Sequence, residues 1–184
     1  MDKRPRAVIL VGFMGAGKST IGRFLARRLG LCFVETDDMI VAREGAPIPE
    51  IFARFGEARF RGLEAEVLDL LEDKRDHVVS TGGGFPCRPG VMERLRTLGT
   101  VVWLSARFEA LYERASRVGG RPMLMGRGTD DIRALFEARK AYYSQAHLAI
   151  ETTHLGVDAV VNRIVRELRA RERLAAPAAV GPRR

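Results

Sequence analysis

Residues 7–20 read Ala7-Val8-Ile9-Leu10-Val11-Gly12-Phe13-Met14-Gly15-Ala16-Gly17-Lys18-Ser19-Thr20, and this stretch decides the fold. Five apolar residues in a row, three of them β-branched, predict a strand covered on both faces, the kind found inside parallel sheets. Gly12 through Ser19 then match G-x-x-x-x-G-K-[ST], between that strand and the helical spacing over 19–29. Glycines let successive backbone N–H groups turn inward around phosphate oxygens, and the helix start adds its positive end. Lys18 is positioned to reach β- and γ-phosphates, and the Ser19 hydroxyl is a candidate Mg²⁺ ligand. Gly12, Gly15, Ala16, Gly17 and Thr20 complete the expected contacts to a nucleoside triphosphate.

Outward from this loop, short apolar runs at 32–35, 77–80, 101–104 and 148–151 alternate with helical spacing at 57–71, 91–98, 108–116, 130–146 and 157–174. With the strand at 7–11 this predicts an α/β fold: a three-layer α/β/α domain around a five-stranded parallel sheet. Residues 1–174 are expected to form that single domain. Residues 117–129, rich in Gly and Arg between two helices, read as a mobile lid. Residues 175–184, with two prolines, read as a disordered tail.

The chain has 184 residues, 46% of them hydrophobic and 29% charged, which excludes intrinsically disordered, collagen-like and disulfide-scaffold classes. Cys32 and Cys87 have no CxxC spacing, so neither a redox motif nor a thiolate zinc site is indicated, and a reducing cytoplasm is expected. Met1 to Arg6 followed by five apolar residues has the order of a secretory signal, but the run ends at Gly12 and enters a lysine-bearing glycine loop. No window approaches the roughly 20 apolar residues of a membrane span.

The net charge of +8 suggests a polyanion partner until it is divided along the chain. Residues 1–30 carry seven basic and one acidic residue, 31–162 carry 17 and 20, and 163–184 carry seven and two. The basicity belongs to the ends, and neither a nucleic-acid nor a membrane partner is expected.

The kind of phosphate chemistry follows from what surrounds the loop. Asn162 is the only asparagine, so the guanine-reading N-K-x-D motif is absent. The runs 77–80 and 101–104 lead into hydroxyl residues rather than the aspartate of large ATPases. Carboxylates stand instead after the second strand, in Glu35-Thr36-Asp37-Asp38, where the carboxyl ends of parallel strands border a ligand crevice. Thr81-Gly82-Gly83-Gly84 follows the third strand and should expose main-chain N–H groups to the same crevice. Arg61 and Glu64 are an i,i+3 pair on a helix. Arg121, in Gly119-Gly120-Arg121-Pro122-Met123-Leu124, is a cation on the expected lid, suited to stabilise a transferring phosphoryl group. Arg139 is another cation suited to an anionic acceptor. These features point to a small-molecule kinase. They leave open a gluconate or nucleoside monophosphate acceptor, and a non-catalytic nucleotide-dependent binding protein whose basic ends touch nucleic acid.

The ordered set of the Gly12–Ser19 loop, Glu35-Thr36-Asp37, Phe60-Arg61, Gly82-Gly83-Gly84, Arg121-Pro122-Met123-Leu124 and Arg139 resembles the shikimate kinase family, over roughly residues 7–170. The resemblance implies the P-loop kinase fold, like that of nucleoside monophosphate kinases, with an acceptor-binding region at about 36–64. It implies transfer of the ATP γ-phosphate to the 3-hydroxyl of shikimate, with Mg²⁺, by a cytoplasmic monomer on the route to chorismate and aromatic amino acids. Lys18, Asp37 and Arg121 are then catalytic, Asp37 matching the carboxylate that binds the shikimate hydroxyls and is assigned as base. Arg61, Arg139 and Gly82 to Gly84 match the carboxylate site, and Phe52 and Phe60 the apolar walls of the acceptor pocket. Arg114 matches an arginine near adenine. The family commonly has Asp-x-Asp where this chain has Glu35-Thr36-Asp37, so the outer metal position falls to Glu35 through water or to Asp38. Met123 stands where leucine is usual, a volume-conserving change.

Overall fold

In the computed structural model, which describes residues 7–118 and 128–175, strand β1 (Ala7–Val11) is buried along its whole length. It lies at the centre of a sheet with β2 (Cys32–Glu35), β3 (His77–Ser80), β4 (Gly99–Ser105) and β5 (Leu148–Glu151), in the order β2-β3-β1-β4-β5. All four pairings are parallel. Leu10 lies level with Ser80 and Val102, and Glu35 level with Ser80, so the carboxyl ends of β1, β2 and β3 stop at one height. Chain order reverses at β1, with β3 on one side and β4 on the other, which makes its carboxyl end the switch point where open α/β sheets hold ligands.

Helices cover both faces: α1 (Lys18–Leu29), α2 (Thr36–Glu44), α3 (Ile48–Leu70), α4 (Val91–Leu98), α5 (Phe108–Val118), α6 (Thr129–Tyr143) and α7 (Val157–Ala175). A single 3₁₀ turn, Leu71–Asp73, follows α3. Ile9, Leu10, Val78, Val79, Val101 and Leu104 are all fully enclosed beneath these helices. Each such side chain contributes about 1.5–3 kcal/mol by leaving water. Truncating Leu10 to Ala would cost about 2–5 kcal/mol, because a packed sheet centre collapses poorly around a hole.

Four of the expected strands have the expected bounds, and β4 is longer by two residues before and one after. Several helical stretches depart from expectation, α2, α3 and α6 the most. α2 begins directly after β2 with no linker; Asp37 and Asp38 occupy its first turn, where carboxylates favour the positive helix end, and Gly45 closes it. α3 begins at Ile48 rather than 57, because Pro47 is its N-cap and Pro49 lies in its first turn, where no backbone N–H is required. Gly56 then breaks this helix with φ 74° and ψ −179°, a conformation essentially confined to glycine. α6 ends at Tyr143 instead of continuing to 146. Arg121, most of the expected 117–129 lid and the tail beyond Ala175 lie outside the described residues.

Candidate active site

The phosphate loop sits at the carboxyl end of β1, with Gly12 to Met14 buried and Gly17, Ser19 and Thr20 exposed to the cleft. Gly15 requires glycine twice over: its φ is 78°, and a methyl group there would lie 2.2 Å from the Leu111 carbonyl oxygen of α5. Helix α1 opens from this loop, its first backbone bond running from Ile21 N–H to Gly17 O at 2.8 Å. Lys18 Nζ folds back and donates to Gly12 O at 2.8 Å and Phe13 O at 3.0 Å. The lysine is thereby held over the mouth of the loop.

The glycine segment after β3 is bound tightly to its surroundings. Thr81 donates to Leu10 O through both its N–H, at 3.1 Å, and its hydroxyl, at 3.0 Å. Gly82 N–H donates to the hydroxyl of Thr36, a fully buried residue at the start of α2, at 2.9 Å. A methyl group on Gly82 would lie 2.5 Å from Asp37 Oδ1, so the absence of a side chain makes room for that carboxylate. Asp37 opens onto the cleft, yet protein crowds it. Partial desolvation pushes its carboxyl above the usual range against the pull of Lys18, and Glu64, Glu35 and Asp38 push the same way. Glu35 faces the cleft while pairing with Arg23 Nη2 of α1 at 3.0 Å.

Two guanidinium groups converge on Gly84. A methyl group placed there would lie 3.2 Å from Arg139 Nη2 and 4.0 Å from Arg61 Nη1. Arg61 Nη1 pairs with Glu64 at 2.8 Å and Nη2 with Glu57 at 2.8 Å. Glu64 is only 3% exposed, so its carboxylate is enclosed although Arg61 reaches solvent; Arg88 Nε stands 3.7 Å from the same Glu64 oxygen, Oε2. Arg139, on α6, lies over the ring of Phe13 at 5.7 Å, joining the phosphate loop to the acceptor side. Phe60 is buried, and its ring lies 4.6 Å from that of Phe52, which remains exposed.

Arg114 of α5 reaches the segment after β5, donating to Thr152 O at 2.9 Å and Thr153 O at 2.8 Å. Its side chain closes one end of a cavity of about 500 Å³ lined by Met14, Gly15, Gly17 to Thr20, Glu35, Asp37, Ser80 to Gly83 and Arg114. Of the residues singled out in the sequence, Gly12 and Ala16 are buried and do not line this cavity, while Arg61, Gly84 and Arg139 gather beside Gly83. Asp38 is exposed and does not line the cavity. Thr36, the burial of Glu64, and Tyr143 went unassigned; Thr36 carried a signal, as a lone hydroxyl between two carboxylates.

The oxygen donors Ser19, Glu35 and Asp37 all line the cleft, and hard oxygens of this kind suit Mg²⁺. Among the described residues no three His, Cys, Asp or Glu side chains form a self-sufficient cage. That fits an ion held jointly by a few protein oxygens, water and substrate phosphates.

A family model described as shikimate kinase matches residues 14–169. The chain belongs to the shikimate kinase family. A shikimate kinase of Moorella thermoacetica is 42% identical over 166 residues, covering 90% of this chain and 96% of that one. The crystal structure of shikimate kinase from Aquifex aeolicus superposes with a TM-score of 0.81 at 38% identity, over 90% of this chain and 98% of that one. Shikimate kinase from Acinetobacter baumannii, solved in complex with shikimate, gives a TM-score of 0.85 at 35% identity, over 91% and 95%. The shared sheet order and phosphate loop are what this family membership leads one to expect.

Proposed function

We infer that the chain transfers the γ-phosphate of ATP to the 3-hydroxyl of shikimate, yielding ADP and shikimate 3-phosphate on the route to chorismate and the aromatic amino acids. The observation that carries this reading is one continuous cleft in a member of the shikimate kinase family. The phosphate loop, Asp37 and Gly83 line it, and next to Gly83 two guanidiniums converge on Gly84.

The chemistry follows from that arrangement. The γ-phosphorus gains a bond to the acceptor oxygen and loses its bond to the β–γ bridging oxygen, while the acceptor proton passes toward Asp37. Such transfers demand in-line positioning and charge neutralisation more than covalent help. Lys18 supplies one fixed cation at the phosphates, and in this reading Arg121 supplies a second. Mg²⁺, when bound, neutralises further phosphate charge; Ser19, with Glu35 through water, would hold it. Arg61 and Arg139 pair with the acceptor carboxylate, since guanidinium and carboxylate match in a bidentate geometry. Gly82 to Gly84 leave room for the acceptor, and Phe52 and Phe60 wall its ring. Arg114, tied to Thr152 and Thr153, flanks the adenine end.

The reading extends to a monomer, because every group invoked comes from one chain, and to the cytoplasm, where ATP and the pathway's intermediates meet. In this reading residues 1–174 act as one domain. No helix among the described residues is long and apolar enough to cross a membrane. A coupled assay for ADP release tests the activity: turnover should require ATP, Mg²⁺ and shikimate together, and absence of shikimate-dependent turnover contradicts the reading.

A further inference from the structure

Tyr143 closes helix α6 one turn beyond Arg139, and its side chain is fully buried. Its hydroxyl donates to the carbonyl oxygen of Gly83 at 2.7 Å, across 60 residues of sequence. The same oxygen accepts only a weak second contact, from Cys87 Sγ at 3.5 Å. The ring is fixed independently, with its centroid 6.1 Å from that of Trp103 on β4. One rigid phenol therefore sets the direction of the Gly83 carbonyl.

That direction has a consequence on the far side of the peptide. In a trans peptide the carbonyl and the following N–H point in opposite directions, so fixing Gly83 O also fixes the N–H of Gly84. Gly84 is the residue on which Arg139 and Arg61 converge. The loop's backbone N–H groups otherwise run from Thr81 to Leu10 O, Gly82 to Thr36 Oγ1, Phe85 to Gly82 O and Cys87 to Gly84 O. The N–H groups of Gly83 and Gly84 are not among these donors. Gly83 also abuts the phosphate loop, since a methyl group on it would lie 3.7 Å from both Gly12 O and Met14 N. A rotation of this peptide would be felt at both halves of the cleft.

We propose that Tyr143 is a positioning residue for acceptor selection: through the Gly83 carbonyl it aims the Gly84 N–H at the acceptor's carboxylate, and through α6 it sets Arg139 beside that N–H. This rests on the reading of the acceptor as shikimate. Burial holds the phenol far above its ordinary titration range, so it remains a protonated donor throughout neutral pH. The hydroxyl does not line the cleft; it acts through the peptide it holds and through its contact with the Arg139 side chain.

Tyr143→Phe removes the donor and keeps the ring against Trp103. Steady-state kinetics of the full chain should show the KM for shikimate raised about five- to tenfold, with kcat and the KM for ATP within about twofold, as expected for loss of one buried hydrogen bond behind a binding contact. Selectivity for shikimate over its carboxamide, which lacks the charge, should fall by a similar factor. An unchanged shikimate KM, equal rises in both KM values, or undiminished selectivity would overturn the proposal. A wild-type protein without shikimate-dependent turnover would instead overturn the underlying activity. Should the variant not fold, the unmodified protein decides: with ¹⁵N-glycine labelling of its 19 glycines, the Gly84 amide resonance must shift on adding shikimate, and a Gly84 resonance that does not move refutes the proposal.

Discussion

Gly82 N–H donates to Thr36 Oγ1 at 2.9 Å, and this bond ties the glycine segment after β3 to the first turn of α2. Asp37 is the next residue along that turn, and its Oδ1 fills the space where a Gly82 side chain would be. One hydroxyl thus sets the spacing between the carboxylate and the acceptor loop. Thr36→Val keeps the shape and deletes the acceptor, leaving a donor in a confined site without its partner. Unfolding free energy should fall by about 1–2 kcal/mol, measurable by calorimetry, and the shikimate KM should rise while the ATP KM stays constant.

Gly82 and Gly84 differ in what a methyl group would meet. On Gly82 it would lie 2.5 Å from Asp37 Oδ1; on Gly84 it would lie 3.2 Å from Arg139 Nη2, the far end of a long side chain. Gly82→Ala should therefore displace the carboxylate and lower kcat on the order of 100-fold, since an ångström of misplacement at a reacting group costs about that much. Gly84→Ala should chiefly raise the shikimate KM, because Arg139 can yield. Single-turnover kinetics separate the two effects.

Asp37 holds its proton more tightly than an ordinary aspartate, chiefly because it is partly desolvated. As pH falls, the base is lost at the raised value, so the acidic limb of kcat/KM should lie above the ordinary aspartate pKa of about 3.9. The stability sign is opposite to that of a salt-bridged carboxylate: a raised folded-state pKa means this group's contribution is present at low pH and declines as pH rises through it. Asp37→Asn should abolish transfer without lowering the thermal midpoint at neutral pH. A clear loss of thermal stability would show that the ionised carboxylate supports the fold.

Arg61 has two carboxylate partners of unequal worth. Glu64 is 3% exposed and also faces Arg88, whereas the Glu57 side chain is 67% exposed. Glu64→Ala strands two cations in a confined site and should cost about 2–3 kcal/mol, below the range for a fully buried pair because Arg61 is partly solvated. Glu57→Ala should change stability by less than about 0.5 kcal/mol. Denaturant unfolding of the two variants, with shikimate KM as the functional readout, measures the contrast.

The parts of the fold legible in the sequence were those whose signal is local. The run at β1, the G-x-x-x-x-G-K-S loop and the short apolar runs at 32–35 and 77–80 each announce themselves within a few residues. α2 was hidden because its opening acids, Asp37 and Asp38, carry chemistry and a helix start at once, and no linker separates them from β2. The first turns of α3 were hidden by Pro47 and Pro49, which read as a break until their positions at the helix start are known. Arg61 and Glu64 were visible as an i,i+3 pair, but only the packing of α3 against the Arg88 segment reveals that Glu64 is enclosed. Thr36 to Gly82 and Tyr143 to Gly83 span 46 and 60 residues, and nothing in the spacing of either pair encodes the contact.

The central claim is that this cleft phosphorylates a carboxylated cyclic alcohol, and a panel of acceptors tests it most directly. Shikimate, its carboxamide, gluconate and a nucleoside monophosphate are each offered with ATP and Mg²⁺, and kcat/KM is measured for each. Shikimate should exceed every other acceptor by about 100-fold or more, consistent with a site in which Arg139 and Arg61 converge beside Gly84 to meet a carboxylate carried on a ring, and Lys18→Ala should remove the activity. A phosphorylated or uncharged acceptor turning over as fast as shikimate, or full activity in Lys18→Ala, would contradict the account.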